Sequence, residues 1–273
     1  GGGVLVWALA WASGSKPCLA EELSQDAATL LRSARQEEAK GNVDKAFKLY
    51  SKIIELEPSY PYAFSNRGNL DVLRGDLRLA LQDYDQAVEL LSAESSARLN
   101  GEAWLVYLNR GTTRLALGDD PKQALVDLNL AAAIRRSPDT LLLTSRAQAY
   151  ERLGDWASAA ADYQAALSLK PNDVEPWWLR FSLVLFQLGR DVDAVALARR
   201  VRSKFSGEAE VGIALACMLV DARQLTEATK LWFDQPSIQR QRYSDVAFLE
   251  TAVRWPPRAV SVAKGLGRLF ESL

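Results

Sequence analysis

The side chains that most often perform chemistry are few in this sequence. The 273 residues include no histidine, which excludes Ser-His-Asp and Cys-His catalysis, histidine-based zinc hydrolysis and any histidine general base. The two cysteines, Cys18 and Cys217, lie too far apart for a Cys-x-x-Cys motif and do not suggest a disulfide framework. Acidic pairs such as Glu37-Glu38 are typical of helix surfaces, and the glycines are spaced for turns, not for a phosphate-binding loop. The sequence therefore predicts a protein that is not an enzyme and has no metal or cofactor.

The composition is that of a folded, soluble chain. Hydrophobic residues make up 48% of the sequence and charged residues 25%, with a formal net charge of -1. A near-neutral chain argues against a nucleic-acid partner, because phosphate contacts need a clustered basic excess. Abundant Ala and Leu with sparse Pro favour helices. Cys217, within "IALACMLV", is expected to be a small core residue.

The N-terminal segment, residues 1–20, has a short apolar run from Val4 to Ala12. Its nine residues fall short of the roughly 20 that a membrane-spanning helix needs. With "CLA" before "EEL", the segment is typical of an export signal cleaved after Ala20. A truncated membrane anchor, which would give membrane association, and a packed N-terminal segment remain alternatives.

The elements that must position any site recur with a fixed period. Pairs of similar residues separated by 34 positions are Ala34 and Gly68, Gly41 and Gly75, Ala46 and Ala80, and Tyr50 and Tyr84. The turn glycines continue as Gly118, Gly154 and Gly189. A small residue lets two helices cross closely, an aromatic residue fills the gap to the next pair, and Gly ends the first helix. The Asp or Asn after each Gly is expected to cap the following helix (Asn42, Asp76, Asp119, Asp155 and Asp191).

These positions resemble the tetratricopeptide repeat (TPR). Residues 140–173 match the family pattern with Ala147, Ala159, Tyr163, Ala166 and Pro171. Residues 27–60 match with Ala34, Ala46, Tyr50 and Pro58, whereas Ile53 replaces a small residue. The resemblance implies an all-α, right-handed superhelix of stacked helix pairs over residues 24–235, followed by C-terminal capping helices in 236–273. The implied repeats are 27–60, 61–94, 104–138, 140–173, 175–208 and a degenerate 209–235.

One interval departs from the period. Gly75 and Gly118 are 43 residues apart, nine more than the repeat length. The surplus lies in "LLSAESSARLNGEAW" and is expected to lengthen the flanking helices or to form a protruding loop. Pro121 adds one residue before the next helix, where it suits the first turn.

The resemblance also implies where a partner binds, because TPR proteins usually hold their ligand in a groove lined by the first helix of each pair. The residues at groove-facing positions are Arg35, Asn66, Asn69, Asn109, Thr112, Gln148 and Arg180. Side-chain amides both donate and accept, so this set suits an extended peptide backbone. For each residue, a merely solvated helix face is the alternative.

The family's clamp for chaperone C-terminal tails does not fit. That clamp combines two lysines and an arginine with asparagines. The corresponding residues here are Leu31, Arg35, Asn66, Leu105 and Asn109. Only Asn66 matches, and both lysines are absent.

Two adjacent tryptophans form another candidate surface. Trp178 occupies a position that is normally core, whereas Trp177 has no such assignment and is predicted to be partly exposed, as aromatic residues in binding surfaces often are. Trp104, Trp156 and Trp232 are expected to pack between helices.

The resulting prediction is a scaffold that binds other proteins, with no small-molecule substrate. Resemblance to chloroplast TPR proteins implies an assembly or maintenance factor at the thylakoid, whereas an exported bacterial scaffold or a cytosolic protein would have a similar sequence. A co-chaperone and a regulatory subunit of an enzyme are the alternatives from other functional classes.

Overall fold

The computed structural model describes residues 23–93, 102–135 and 137–271. Every regular element in these ranges is helical, which confirms the all-α prediction. The helices are α1 (Gln25–Ala39), α2 (Val43–Leu56), α3 (Pro61–Arg74), α4 (Leu77–Ala93), α5 (Ala103–Leu117), α6 (Pro121–Arg135), α7 (Thr140–Leu153), α8 (Trp156–Leu169), α9 (Trp177–Gln187), α10 (Asp191–Lys204), α11 (Ala209–Asp221), α12 (Leu225–Phe233), α13 (Ser237–Arg242), a short π-helical turn (Phe248–Ala252) and α14 (Pro257–Glu271). The export-like segment and Cys18 lie outside the described residues.

The chain divides into two compact units, with the boundary between Ala149 and Tyr150 inside α7. The N-terminal unit comprises the described residues up to 149, and the C-terminal unit begins at 150. In the N-terminal unit each helix from α1 to α6 packs against the next, and in the C-terminal unit the same holds from α8 to α12. This consecutive packing is the arrangement that the repeat pattern predicts.

The turns form where the sequence places glycine. Gly75 follows α3 with φ 85°, a left-handed conformation that glycine adopts without steric cost. The amide of Asp76 then donates to the carbonyl of Asp71 at 2.9 Å, which closes the helix end. The other glycines with positive φ are Gly41, Gly118, Gly154 and Gly189.

Capping follows the prediction only in part. Asp155 accepts a hydrogen bond from the amide of Ser158 at 3.1 Å, as expected of a cap. The Asn42 side chain accepts no capping hydrogen bond from the backbone of α2. Its Nδ2 donates instead to the Glu37 carboxylate at 2.7 Å. Asp191 is already the first residue of α10, and Arg190 holds the cap position.

Small residues allow the paired helices to approach closely. A Cβ atom on Gly111 would lie 3.1 Å from the carbonyl oxygen of Ala124, and one on Gly68 would lie 3.1 Å from that of Ala80. Both distances are shorter than ordinary van der Waals contact, and a backbone oxygen cannot move aside independently. The helix spacing in these two pairs therefore favours glycine, because any larger residue would force the opposite backbone to shift by a few tenths of an ångström.

The nine surplus residues between Gly75 and Gly118 lengthen one helix. Helix α4 has 17 residues, against 14 in α2, and it ends at Ala93. The extra length accounts for part of the surplus, as predicted. The centre of the interval, residues 94–101, lies outside the described residues.

Buried tyrosines join the two helices of a pair by hydrogen bonds as well as by packing. Three tyrosines at the aromatic position of the repeat, Tyr50, Tyr84 and Tyr163, are almost fully buried. The hydroxyl of each donates to a side chain on the first helix of its own pair. The acceptors are Glu38 for Tyr50 at 2.8 Å, Asn69 for Tyr84 at 2.7 Å and Glu151 for Tyr163 at 2.5 Å. The aromatic position of the repeat thus holds a polar side chain of the first helix in place.

Buried ion pairs also connect first and second helices in the N-terminal unit. Arg67 on α3 forms a bidentate pair with Asp83 on α4, with N–O distances of 2.8 and 2.7 Å. Arg110 on α5 forms the equivalent pair with Asp127 on α6, at 3.0 and 2.6 Å. The Asp127 side chain is fully buried. The two arginines lie on successive first helices and the two aspartates on the second helices of the same pairs. Their pairing was not predicted from the sequence.

The C-terminal unit ends with a segment that folds back on its own first helices. Helix α14 packs against both α11 and α9. The indole N–H of Trp255 donates to the buried carboxylate of Glu210 on α11 at 3.0 Å. Arg258 at the start of α14 pairs with Asp191 at 2.6 Å and with Asp221 at 2.8 Å. The C-terminal segment therefore packs on two successive helix pairs, α9–α10 and α11–α12, and not on the last pair alone.

We expect Asp127→Ala to lower the free energy of unfolding by about 3–5 kcal/mol, because Arg110 and Arg114 would be left without their buried partner. Asp85→Ala is the matched control, since Asp85 pairs with the same two arginines but its side chain is 50% exposed. The control should cost less than about 1 kcal/mol. Equal losses in urea unfolding would contradict a dominant role for the buried carboxylate.

Burial raises the pKa of Glu210 above its ordinary value, although the Trp255 N–H opposes this. As pH rises, the unfolded chain therefore ionises Glu210 before the folded protein does, and stability is lost. In Glu210→Gln this loss is absent. The variant's free energy of unfolding relative to the natural chain should therefore rise between about pH 4 and neutrality. A difference independent of pH in chemical denaturation would contradict this assignment.

Candidate functional site

Helices α3 and α5 bring four of the seven predicted groove residues onto one surface, here called the amide patch (Asn66, Asn69, Asn109 and Thr112). The Nδ2 of Asn109 donates to Oδ1 of Asn69 at 2.9 Å, which joins the two helices. Asn66 lies three residues before Asn69, and Thr112 lies three residues after Asn109. Residues at this spacing share a helix face.

The centre of the amide patch is held rigidly from below. Asn69 is only 7% exposed, and its Oδ1 also accepts from the Tyr84 hydroxyl at 2.7 Å. Asn109 is half-buried beside it. The Thr112 hydroxyl donates to the carbonyl of Leu108 within its own helix at 2.9 Å, so its methyl group and oxygen have a fixed direction.

Asn66 differs from its neighbours in the amide patch. Its side chain is half-buried and makes no hydrogen bond to another described residue. A partly desolvated amide in this state has a donor and an acceptor available to a ligand. It can bind a ligand without first breaking a contact to a described residue.

Two other predicted groove residues belong to the N-terminal unit but have no hydrogen bond to the amide patch. Arg35 on α1 is half-buried and forms no ion pair with a described residue. Burial raises the pKa of Tyr60 to about 12, and the charge of Arg35 opposes that rise. Gln148 on α7 is half-buried and likewise has no hydrogen bond to a described residue.

Arg180 is placed in the C-terminal unit and already has partners there. Its guanidinium pairs with Glu151 and donates to the carbonyls of Val253 and Arg254, both at 2.8 Å. Only 11% of its side chain is exposed. Arg180 thus binds the chain's own C-terminal segment, and a partner would have to displace that segment to reach it.

The prediction of an exposed Trp177 is wrong. Its side chain is 5% exposed because the indole stacks on Tyr163, with ring centroids 5.8 Å apart and an interplanar angle of 5°. Trp178 is fully buried, as predicted. The pattern at Trp177 could not reveal this contact, since Tyr163 comes from the preceding helix pair.

Some residues of interest were missed by the sequence argument. Tyr84 was treated only as a space-filling residue, yet it fixes Asn69. Arg152 lies four residues after Gln148 and hence on the same face of α7, a spacing that could have identified it. Arg254 carries no sequence signal, because it is brought to this region only by the return of the C-terminal segment.

Neither metal chemistry nor a membrane span is evident within the described ranges. Among residues 23–93, 102–135 and 137–271, no group of three or more His, Cys, Asp or Glu side chains is arranged to hold a metal ion. Within the same part of the chain, every helix is too short or too polar to cross a bilayer. Cys217 is fully buried and burial raises the pKa of its thiol, which makes it an inert core residue.

Three solved structures illustrate the similarity of fold. PilF of Pseudomonas aeruginosa matches with a TM-score of 0.61 and 16% identity, over 84% of this chain and 97% of its own. YrrB, described as a TPR protein with an unusual peptide-binding site, matches with a TM-score of 0.57 and 18% identity, over 82% and 98%. The APC/C heterotetramer Cut9–Hcn1 contributes a chain with a TM-score of 0.59 and 19% identity, over 88% of this chain; the match spans 42% of that longer chain.

Sequence comparisons support the repeat at two places. No curated protein sequence matches the chain. Models of the tetratricopeptide repeat, however, match residues 28–60 and residues 141–173. The first segment contains α1 and α2, and the second contains α7 and α8. The chain is therefore an all-α protein in which two segments, residues 28–60 and 141–173, match the tetratricopeptide repeat.

Proposed function

We propose that this chain is a non-catalytic scaffold that binds a partner protein through the amide patch of α3 and α5. The ligand is an extended peptide segment or a helix of the partner. The observation that carries this proposal is the Asn69–Asn109 hydrogen bond, which joins two successive first helices into one polar surface. TPR proteins mediate protein–protein interactions, and YrrB is a structurally similar protein described as peptide-binding.

The geometry suits a peptide backbone because the patch is organised before a ligand arrives. Asn69 is fixed by two hydrogen bonds, so little side-chain entropy remains to be lost on binding. Asn66, which has no hydrogen-bond partner among the described residues, supplies a donor and an acceptor at the adjacent turn of α3. Amides of this kind recognise main-chain groups with limited dependence on the ligand's sequence.

The two units differ in what lies on their first helices. In the C-terminal unit, α14 packs against α9 and α11, so the chain itself covers that face. In the N-terminal unit, α3 and α5 contact each other and their second helices α4 and α6. We therefore assign partner binding to the N-terminal unit, with Arg35 and Gln148 as further contacts.

The finer proposal is an assembly or maintenance factor for a multiprotein complex, photosynthetic and at the thylakoid. It rests on the resemblance of the sequence to chloroplast TPR proteins. An exported bacterial scaffold and a cytosolic protein are the competing locations. Fractionation of the native cells, with mass spectrometry of the mature N-terminus, would test the compartment and cleavage after Ala20 together.

We expect the double variant Asn66→Ala, Asn109→Ala to bind its partner about tenfold more weakly, because two amide contacts are removed. Partners would be purified from the native organism by affinity to the tagged chain and quantified by mass spectrometry. Gln86→Ala, an exposed amide on α4, is the matched control and should retain the partner.

Recovery of the same proteins in equal amounts with both variants would contradict binding at the amide patch. Recovery of general chaperones alone would contradict the assembly-factor role. Asn66→Ala by itself should leave the melting temperature unchanged, since this side chain makes no hydrogen bond to another described residue. Weaker partner binding by this single variant at an unchanged melting temperature would separate lost binding from lost folding.

A co-chaperone is the second candidate, favoured only by Asn66 on α3 and the cation Arg35 on α1. Peptides that copy acidic chaperone C-terminal tails would test it. Micromolar affinity that depends on Arg35 or Asn66 would support it, and weaker or independent binding would argue against it. A regulatory subunit of an enzyme would differ from a scaffold only in the identity of the purified partner.

A further inference from the structure

Arginine side chains converge where the C-terminal segment meets α7 and α9. The Arg180 guanidinium occupies the centre: Nη2 contacts the Glu151 carboxylate and also donates to the carbonyl of Arg254 at 2.8 Å. Arg152 follows Glu151 directly in α7. The Arg180 guanidinium thus contacts both the Glu151 carboxylate and the backbone of Arg254. Arg152 and Arg254 are the residues on either side of this central guanidinium.

Neither flanking arginine has a partner among the described residues. Arg152 is half-buried and Arg254 is exposed, and neither forms an ion pair or a side-chain hydrogen bond with a described residue. Burial and then the charges of Arg254 and Arg180 lower the pKa of Arg152 to about 10, against the opposing effect of Glu151. The two free guanidiniums therefore repel each other in the isolated chain.

The acidic groups nearby are already engaged. Glu151 accepts from both Arg180 and the Tyr163 hydroxyl. Glu210 accepts from the indole of Trp255. Among the described residues, Arg180 alone of the three arginines forms an ion pair, so Arg152 and Arg254 add positive charge that no ion pair neutralises, on a chain whose net charge is -1.

The backbone at Arg254 is held in an unusual conformation. Arg254 has φ 52°, a left-handed conformation that is costly for a residue with a Cβ atom. The hydrogen bonds from Arg180 to the carbonyls of Val253 and Arg254 hold this turn in place. The turn places the backbone of Arg254 beside Arg180, and the positive charge of its side chain acts on Arg152.

We propose that Arg152 and Arg254, organised by Arg180, form a binding site for the carboxylates of an acidic peptide segment in a partner protein. Guanidinium groups bind carboxylates through paired, charge-assisted hydrogen bonds, and partial burial strengthens these bonds. This site belongs entirely to the C-terminal unit. It deepens the proposed protein-binding function by naming the chemistry of a second contact with the partner.

Occupation of this site would also stabilise the fold of the C-terminal segment. A carboxylate between Arg152 on α7 and Arg254 in the returning segment connects the two and removes their repulsion. An acidic ligand should consequently raise the melting temperature of the protein, as any ligand that binds only the folded state does.

The test uses the full chain and a fluorescein-labelled hexaglutamate peptide, with a hexaglutamine peptide as the uncharged control. Fluorescence anisotropy should show binding of hexaglutamate and none of hexaglutamine. Arg254→Gln and Arg152→Gln should each weaken hexaglutamate binding about tenfold, which corresponds to the loss of one charge-assisted contact. Equal binding of the two peptides would overturn the proposal.

Arg223→Gln is the matched control. Arg223 is also an exposed arginine of the C-terminal unit with positive φ, 57°, and it has no ion pair with a described residue. This variant should bind hexaglutamate within about twofold of the natural chain, because general charge attraction is weak at exposed sites. An equal loss in Arg223→Gln and Arg254→Gln would show diffuse attraction and overturn the site.

Thermal unfolding at low ionic strength distinguishes a binding role from a structural one. Without peptide, Arg254→Gln should melt at the same temperature as the natural chain or higher, because a repulsion is removed. A lower melting temperature would assign Arg254 a structural role and contradict the proposal. None of these outcomes depends on the amide patch, so failure here leaves the binding function of the N-terminal unit intact.

Discussion

The close crossing of paired helices is the constraint on which the rest of this structure depends. At Gly68 and Gly111 a single added carbon atom would meet the backbone oxygen of the opposite helix at 3.1 Å. This short spacing brings Asp127 on α6 within direct reach of Arg110 on α5 and lets Tyr84 on α4 reach Asn69 on α3. A wider crossing would lose both the buried ion pairs and the support beneath the amide patch.

Buried polar contacts give the packed pairs their specificity. Helices joined only by apolar faces can slide or rotate with modest loss, whereas a buried hydrogen bond fails if its partners separate. Tyr50, Tyr84 and Tyr163 each place a hydroxyl on a polar side chain of the first helix. The same type of contact supports the buried amide of Asn69 beneath the amide patch in one pair and an ion-paired residue, Glu151, in another. The aromatic position of the repeat therefore orients a different polar side chain in each of these pairs.

The two units use equivalent helices for different purposes. In the C-terminal unit the first helices α9 and α11 contact α14, and Arg180, at a groove-facing position, holds two carbonyls of the returning segment. Such contacts within one chain have an effective concentration that a separate partner does not reach at ordinary concentrations. This supports our assignment of a peptide ligand to the N-terminal unit. The returning segment also brings Arg254, which is exposed, to the region of α7 that contains the half-buried Arg152.

The helix pairs, the turn glycines and the core positions of Trp178 and Cys217 follow from the sequence alone, because each depends on local propensity and on a period of 34 residues. The groove-facing positions of Asn66 and Asn109 follow in the same way. Only the tertiary structure decided that Trp177 is buried, that Arg180 has internal partners and that Arg254 lies beside it. These outcomes depend on contacts between residues up to 74 positions apart, which a repeat pattern does not encode. The burial of Trp177 arises from its stacking on Tyr163 of the preceding helix pair, and the contacts of Arg180 with Val253 and Arg254 arise because the C-terminal segment returns to an earlier helix.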